Sequence, residues 1–466
     1  ALNFDTMEYE DRGKVKIAEL EKVKEKPLAD RIKAAFAMQD TNGEFIRRTT
    51  FEMIHYAASK VGVVANSYLE IDNGLCWGFG WESGPFETCD ILGLETVIAG
   101  IKGLGKDVPA ILQEYADKGL KFYPEDKPMP RPQGVVHIAD IRKDTKKVLK
   151  GLDNASLLDI GDGVLLLEKH TKMNVLTQDV TELMELAVEI IPKHGYTGLV
   201  IGNQGDNFCA GANVLLMAMG AQAGQFDAID KEMIRFQTAI RSLRYAPFPI
   251  VSAPFNMALG GGVEVTMLAD DRVASAETYM GLVEAGVGLI PAGGGCTELL
   301  WRFNQQLHPE ADPFESVKRA FQLISMAKVS TSAYEAQELG LLLPTDIITM
   351  NRQRVIADAK RRVQELAVDY VPPLPRRIKV LGEAAYANLC MAIWSMREAN
   401  YISDYDMHLA KQLARVLSGG TQNFATEVSE EYMHDLEREV FVDLWKQPKT
   451  QERVMAMLTT GKPLRN

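Results

Sequence analysis

Pro249-Ile-Val-Ser-Ala-Pro-Phe-Asn-Met-Ala-Leu-Gly-Gly-Gly-Val-Glu264 runs from an apolar segment through three glycines to an acid. Residues Pro249 to Ala253 read as a short buried strand. The glycines 260–262 open a helical run to Ala269, and a helix beginning on glycines exposes unpaired N–H donors where its dipole favours negative charge. Glu264 falls in the first turn of that helix, beside the anion-favouring end.

The same pattern stands upstream. A buried strand, Thr197 to Ile201, leads into Asn203-Gln-Gly-Asp-Asn-Phe-Cys-Ala-Gly-Ala-Asn213. Gly211 lets the backbone turn sharply, and the small Ala210 and Ala212 leave peptide N–H groups accessible. Two such groups brought together from separate loops make an oxyanion hole, which suits a thioester whose carbonyl oxygen gains charge. Downstream, Tyr279-Met-Gly-Leu-Val-Glu-Ala-Gly-Val-Gly-Leu-Ile-Pro291 carries Glu284 in an apolar, glycine-rich setting. Two carboxylates flanking one water can act as general base and general acid. Taken singly, each glycine turn is also explained as a packing device. Glu264 is equally explained as a complement to the helix dipole and Glu284 as a salt-bridged structural acid.

Around this centre, strands alternate with helices from Ser156 onward. Leu157 to Glu168 predicts two strands about a Gly-Asp-Gly turn, and Thr177 a cap for a helix with Val180, Leu183, Met184, Ala187, Val188 and Ile191 inside. Strand, glycine turn and helix in repetition indicate an α/β layered domain. After Val355 the pattern is mostly helical, interrupted at Val371-Pro-Pro-Leu-Pro375. Upstream, Leu28, Ile32, Ala35 and Phe36 repeat at helical spacing, as do apolar positions between Phe45 and Val61. Trp77-Gly-Phe-Gly-Trp-Glu-Ser-Gly-Pro-Phe86 breaks the pattern, with its aromatics expected to be buried, and a further helix is predicted over Leu92 to Ile101. Tyr123 to Pro132 has four prolines in ten residues and reads as a linker. The expected division is therefore an all-α domain over 1–125, a linker and transition over 126–154, an α/β core over 155–350 and a helical region over 351–466.

The bulk numbers exclude several classes. A chain of 466 residues predicts two or three domains. A net charge of −12 disfavours general nucleic-acid binding. Five scattered cysteines without a CxxC pair, and seven dispersed histidines, predict neither a disulfide framework nor a metal site. No stretch has the length of apolar sequence a membrane helix needs, and Ala1 to Lys26 is charged throughout, so a soluble cytoplasmic protein is expected. The start at Ala1 rather than Met is what a processed protein or a piece of a longer one would show. There is no GxSxG. Cys209 reads as a packing residue, and His55 as a structural helix histidine.

Phe208-Cys-Ala-Gly-Ala212, Gly260-Gly-Gly-Val-Glu264, and Glu284 followed by Ile290-Pro-Ala-Gly-Gly294 together resemble the crotonase superfamily, in order and separation, with coverage from about Ala155 to Asn466. The resemblance implies the crotonase-like (ClpP/crotonase) α/β spiral fold with a C-terminal helical region. It assigns the oxyanion hole to the amides of Ala212 and Gly261, and catalysis to Glu264 and Glu284, as in the family's enoyl-CoA hydratases. Lys172-Met-Asn174 resembles the loop along the CoA adenine, and Ala210, Gly211 and Gly260 belong to the substrate-binding turns. Asn213 departs from the aspartate usual there, which bears on loop support.

Trp77 to Glu87, with Asp90 and Gly93, resembles the helical C-terminal domain of 3-hydroxyacyl-CoA dehydrogenases. The domain order resembles a bacterial fusion enzyme in which a nucleotide-binding dehydrogenase half precedes a hydratase half. Leu436-Glu-Arg-Glu439 through Asn466 resembles the end of that class. No GxGxxG follows an early strand, so no NAD site is expected in this chain, and neither His55 nor His137 lies in a dehydrogenase-like motif. The expectation is an enoyl-CoA hydratase of fatty acid β-oxidation. It takes an acyl-CoA substrate with no bound cofactor or metal, the dehydrogenase half as its partner, and a homo-oligomeric state left open. An isomerase, needing one base, and a non-catalytic assembly module are the alternatives.

Overall fold

The helical periodicity of the N-terminal region becomes α1 (Ala18–Glu21), α2 (Leu28–Ala37), α3 (Thr41–Ala58), α4 (Tyr68–Phe79), α5 (Pro85–Leu92), α6 (Leu94–Gly103) and α7 (Ala110–Asp117) in the computed structural model. That model describes residues 2–3, 6–9, 16–124 and 134–466. The chain divides into two compact units, Ala1–Pro132 and Gln133–Asn466. The proline-rich linker expected at Tyr123 to Pro132 lies, from residue 125 on, outside the described residues.

The first unit closes on Phe51, Ile54, Phe86, Cys89, Val97, Ile101, Leu112 and Phe122, which form one buried cluster. Asp40 caps α3 by accepting from Gly43 N–H, and Ser67 with Glu70 forms a capping box on α4. The segment Trp77 to Phe86 corrects the expectation. Trp77, Phe79 and Trp81 are 51%, 74% and 39% exposed, and only Phe86 is buried. Helix α4 extends through Phe79 before Gly80 ends it in the left-handed conformation, so these aromatics ride on its outer face and end. The segment is anchored by polar bonds. Buried Asp72 accepts from Phe86 N–H and Glu87 N–H, each at 3.0 Å, and from the Tyr123 hydroxyl at 2.7 Å. The helix expected over about Leu92 to Ile101 is α6, within two residues, and a further helix, α5, precedes it and is parted from it at Gly93.

The second unit opens with α8 (Ile138–Lys143), β1 (Val148–Gly151), β2 (Ala155–Asp159) and β3 (Val164–Lys169). There follow α9 (Gln178–Lys193), β4 (Gly198–Gly202), α10 (Val214–Gln222), α11 (Phe226–Arg244), β5 (Ile250–Ser252), β6 (Asn256–Leu259) and α12 (Gly261–Leu268). Next come β7 (Asp271–Ser275), β8 (Thr278–Gly281), α13 (Gly295–Gln306), α14 (Phe314–Ser325), α15 (Ala333–Leu339), β9 (Ile347–Thr349) and α16 (Val355–Ala367). The C-terminal region is β10 (Arg377–Val380), α17 (Glu383–Glu398), α18 (Asp404–Ser418), β11 (Thr426–Ser429), α19 (Glu430–Trp445) and α20 (Pro448–Thr460).

Seven strands form one sheet in the order β1-β2-β3-β4-β5-β7-β9. β1 to β3 are antiparallel and the rest parallel. The sheet thus starts at Val148, ahead of the expected core boundary at 155. On one face, Leu158, Leu166, Val200, Val251 and Val273 pack with Val355, Ile356, Ala359 and Val363 of α16. The opposite face gives Leu157, Leu165, Leu167, Leu199 and Ile201 to a larger core with α9 and α11. Burial on both faces explains why these strands are continuously apolar. A second, smaller layer pairs β6 with β8 in parallel. The mostly helical C-terminal region also contains an antiparallel ribbon, β10 with β11. Thr177 stands at the N-cap of α9, but its hydroxyl makes no hydrogen bond.

Truncating Asp72 to Ala leaves two amides and a tyrosine hydroxyl without their shared acceptor in the helical unit. The full chain should lose about 1–3 kcal/mol in urea unfolding followed by circular dichroism. An unchanged midpoint would contradict the anchoring role.

Candidate active site

The second β layer brings the two glycine turns together. Phe208 N–H donates to Phe255 carbonyl at 3.2 Å, Cys209 N–H to Met257 carbonyl at 3.0 Å, and Leu259 N–H to Cys209 carbonyl at 2.9 Å. The first turn therefore runs as a parallel neighbour of β6. On its other side, Ala210 N–H donates to Met173 carbonyl, Leu176 N–H to Gly211 carbonyl, and Asn213 N–H to Leu176 carbonyl. Lys172-Met-Asn174 is thereby stitched to the same turn. Gly211 (φ 105°) and Gly260 (φ 53°) hold conformations that side chains disfavour, which is why glycine stands at both corners.

Within this stitched backbone, the amides of Ala212 and Gly261 donate to no protein acceptor among the described residues. They are close neighbours: a methyl built on Gly261 would lie 3.6 Å from the Ala212 nitrogen and 3.7 Å from Glu264 Oε2. Gly261 starts α12, so its N–H also sits at the positive end of that helix. Ala210 differs, because its amide is already used by Met173.

Glu264 is 6% exposed, with Oε1 accepting from Gly293 N–H at 2.7 Å and Gly295 N–H at 2.8 Å, while Oε2 accepts no bond among the described residues. Glu284 begins the short 3-10 turn Glu284–Val287; its Oε2 is shielded and has no partner among the described residues. Its Oε1 would stand 2.9 Å from a methyl on Gly260. Both carboxyl groups are held well above the usual range. Burial is the main cause in each, opposed at Glu264 by the two glycine amides and reinforced at Glu284 by the charge of Glu264. The arrangement supplies two unpaired donors and two proton-binding oxygens around one small volume. It can polarise a carbonyl and move protons next to it.

Of the other residues singled out, Lys172 and Met173 are exposed. Asn174 is buried, its amide donating to Asn203 Oδ1 at 2.9 Å and Asn207 carbonyl at 2.7 Å. Asn213 occupies the N-cap of α10 without a side-chain cap bond. Cys209 is buried, its sulfur making hydrogen bonds with the Gly211 backbone. His55 lies on α3, and His137 just precedes α8. No cluster of three metal-ligating side chains occurs among the described residues, and no helix among them is long and apolar enough to cross a membrane. The residues missed from sequence are Gly293 and Gly295 as donors to Glu264. Their signal was present, because 293–295 repeats the three-glycine helix entry of 260–262.

The raised protonation of Glu284 has a stability consequence. A buried carboxyl that prefers its proton costs nothing below the ordinary glutamate range, near pH ~4.3. As pH rises through that range the unfolded chain ionises first, and the penalty is complete once pH passes the raised folded value. Glu284→Gln should therefore raise the melting temperature at pH 8–9 and leave it nearly unchanged at pH 4. An equal shift at both pH values would contradict the assignment.

Residues 163–307 match the family model described as Enoyl-CoA hydratase/isomerase. Over 99% of its length the chain is 39% identical to a probable 3-hydroxyacyl-CoA dehydrogenase of Bacillus subtilis, covering 60% of that protein. Over 89% of its length it is 27% identical to a putative fatty acid oxidation complex trifunctional enzyme of Rickettsia prowazekii, covering 53% of it. The chain thus spans between half and two thirds of these relatives. An enoyl-CoA hydratase structure from Bacillus halodurans aligns over 65% of this chain and all of its own, with 16% identity and a TM-score of 0.44. The α/β unit has the crotonase-type fold with helical regions, and the chain joins it to an all-helical N-terminal part.

Proposed function

We propose that the α/β unit adds water across the 2,3 double bond of enoyl-CoA thioesters, as part of a fatty acid oxidation enzyme that also carries a 3-hydroxyacyl-CoA dehydrogenase half. One observation carries this reading. Among the described residues, Glu264 and Glu284 each keep an oxygen without a partner, beside the two amides of Ala212 and Gly261 that also lack one. The dehydrogenase half is supported by what the longer relatives are called, and this chain is given no nicotinamide site.

In this mechanism the thioester oxygen accepts from Ala212 N–H and Gly261 N–H, drawing electrons from the conjugated double bond. A water between the two glutamates loses a proton to one carboxylate as its oxygen bonds to C3. The π electrons move toward the thioester as an enolate, stabilised by the two amides. The other glutamate, protonated at the start, delivers its proton to C2. One O–H bond of water has broken, C3–O and C2–H bonds have formed, and the pair again holds one proton. The raised affinity of both carboxyls for protons supports a pair that shares one proton near neutrality, titrating as a unit. Lys172 and Met173, exposed beside the first turn, are read as contacts for CoA. Asn174, Ala210, Gly211 and Gly260 shape the backbone around it. An isomerase would need one base, so the second acid with a free oxygen favours hydration.

Purified protein should remove the conjugated absorbance of crotonyl-CoA with no nicotinamide present. Glu264→Gln and Glu284→Gln should each lower kcat about 10²–10⁴-fold while acyl-CoA binding is largely kept. Undiminished activity in Glu284→Gln would sink the two-acid mechanism, and conversion of 3-enoyl-CoA to 2-enoyl-CoA without hydration would turn the assignment to an isomerase.

A further inference from the structure

The turn that holds Glu264 has amides facing two ways. Gly293 N–H and Gly295 N–H donate to Glu264, but the intervening Gly294 N–H points away and donates to Glu437 Oε2 at 2.8 Å. Two residues further, Thr297 N–H and the Thr297 hydroxyl both donate to Glu437 Oε1 at 2.7 Å. Glu437 lies in the middle of α19, within Leu436-Glu-Arg-Glu439, and is 0% exposed. The first turn of α13 is thus clamped between two carboxylates that take alternate amides. Glu264 approaches from α12 and Glu437 from a helix 140 or more residues away in sequence.

A cap for α13 alone would not require this. A serine or aspartate at the N-cap would satisfy the same amides from the surface, without burying a third acid next to two others. We infer that Glu437 is a positioning residue for Glu264: by holding the Gly294 and Thr297 amides it fixes the turn whose Gly293 and Gly295 amides aim the free oxygen of Glu264. The inference rests on the reading of Glu264 as an acid–base group.

The surroundings leave these carboxyls few other partners. Glu264 acts on Glu284 in the Glu284–Val287 turn, and Cys296 on α13 feels all three acids. His434, one turn before Glu437 on α19, is pushed down to about 3 by burial, with Arg241 and Arg244 of α11 adding to the effect and Glu298 opposing it, so it stays neutral. Gln237 of α11 braces the same region by donating to the carbonyls of Ala292 and His434. Glu437 itself is raised by burial first and by Glu264 second, against its three donors.

The test is a carboxyl titration in the full chain, which needs no turnover. With ¹³C-labelled glutamate, the Glu264 signal is the one lost in Glu264→Gln. In Glu437→Gln its midpoint should move to higher pH, because the Gly293 and Gly295 donors that oppose its burial loosen with the turn. kcat for hydration should fall about 10-fold or more with KM little changed. Thr297→Val, which removes the hydroxyl that ties Glu437 to the turn, should move the midpoint the same way if Glu437→Gln does not fold. Thr297→Ser, which keeps the hydroxyl, should leave it in place. A lower melting temperature with the Glu264 midpoint unmoved in both Glu437→Gln and Thr297→Val would reduce Glu437 to a structural brace and overturn the inference. A moved midpoint in a protein that does not hydrate crotonyl-CoA would uphold the coupling and remove the hydratase reading instead.

Discussion

Two backbone N–H groups, those of Ala212 and Gly261, are kept side by side with no acceptor among the described residues. A shielded donor without a partner costs about 1–3 kcal/mol, and the surrounding backbone would relax to satisfy it if it were free to do so. The α/β unit removes that freedom. Bonds from Met173 and Leu176 hold one side of the first turn, and bonds to Phe255, Met257 and Leu259 hold the other. The second turn is fixed by β6 pairing with β8 and by Gly260 N–H donating to Gly281 carbonyl. The seven-stranded sheet and its two buried faces supply the rigid base from which both turns project.

The same economy governs the acids. A glutamate buried without partners neutralises itself, while one tied on both oxygens has nothing left for a substrate. Glu264 avoids both extremes, since Oε1 takes two glycine amides and Oε2 takes none. Glu284 keeps Oε2 bare among the described residues, while its Oε1 lies against a glycine corner where an added methyl would come within 2.9 Å of it. Glycines here do two separate jobs: they adopt backbone conformations other residues avoid, and they leave room for carboxylates to approach the chain. In the helical unit a buried carboxylate has a different fate, because both oxygens of Asp72 are taken up by amides and a phenol.

Much of this was legible in the residues. The apolar runs at Thr197 to Ile201 and Pro249 to Ala253 are β4 and β5 within a residue or two, because strands buried on both faces leave no polar alternation to misread. The glycine turns were legible because positive φ leaves a compositional trace. What the sequence hid was direction. The glycines at 293–295 were visible, but nothing in their order says that 293 and 295 face Glu264. Ala210 and Ala212 look equivalent on paper, yet the strand register engages one amide and spares the other. Trp77, Phe79 and Trp81 misled for the opposite reason: aromatic content suggests burial, but helix α4 carries them outward while Asp72 does the anchoring.

The most direct measurement is a crystal structure of the Glu284→Gln protein with an enoyl-CoA bound. The thioester oxygen should lie about 3 Å from both the Ala212 and Gly261 nitrogens, with the C2–C3 double bond facing the space between Glu264 and position 284. A thioester oxygen held by other groups, with these two amides left to water, would contradict it.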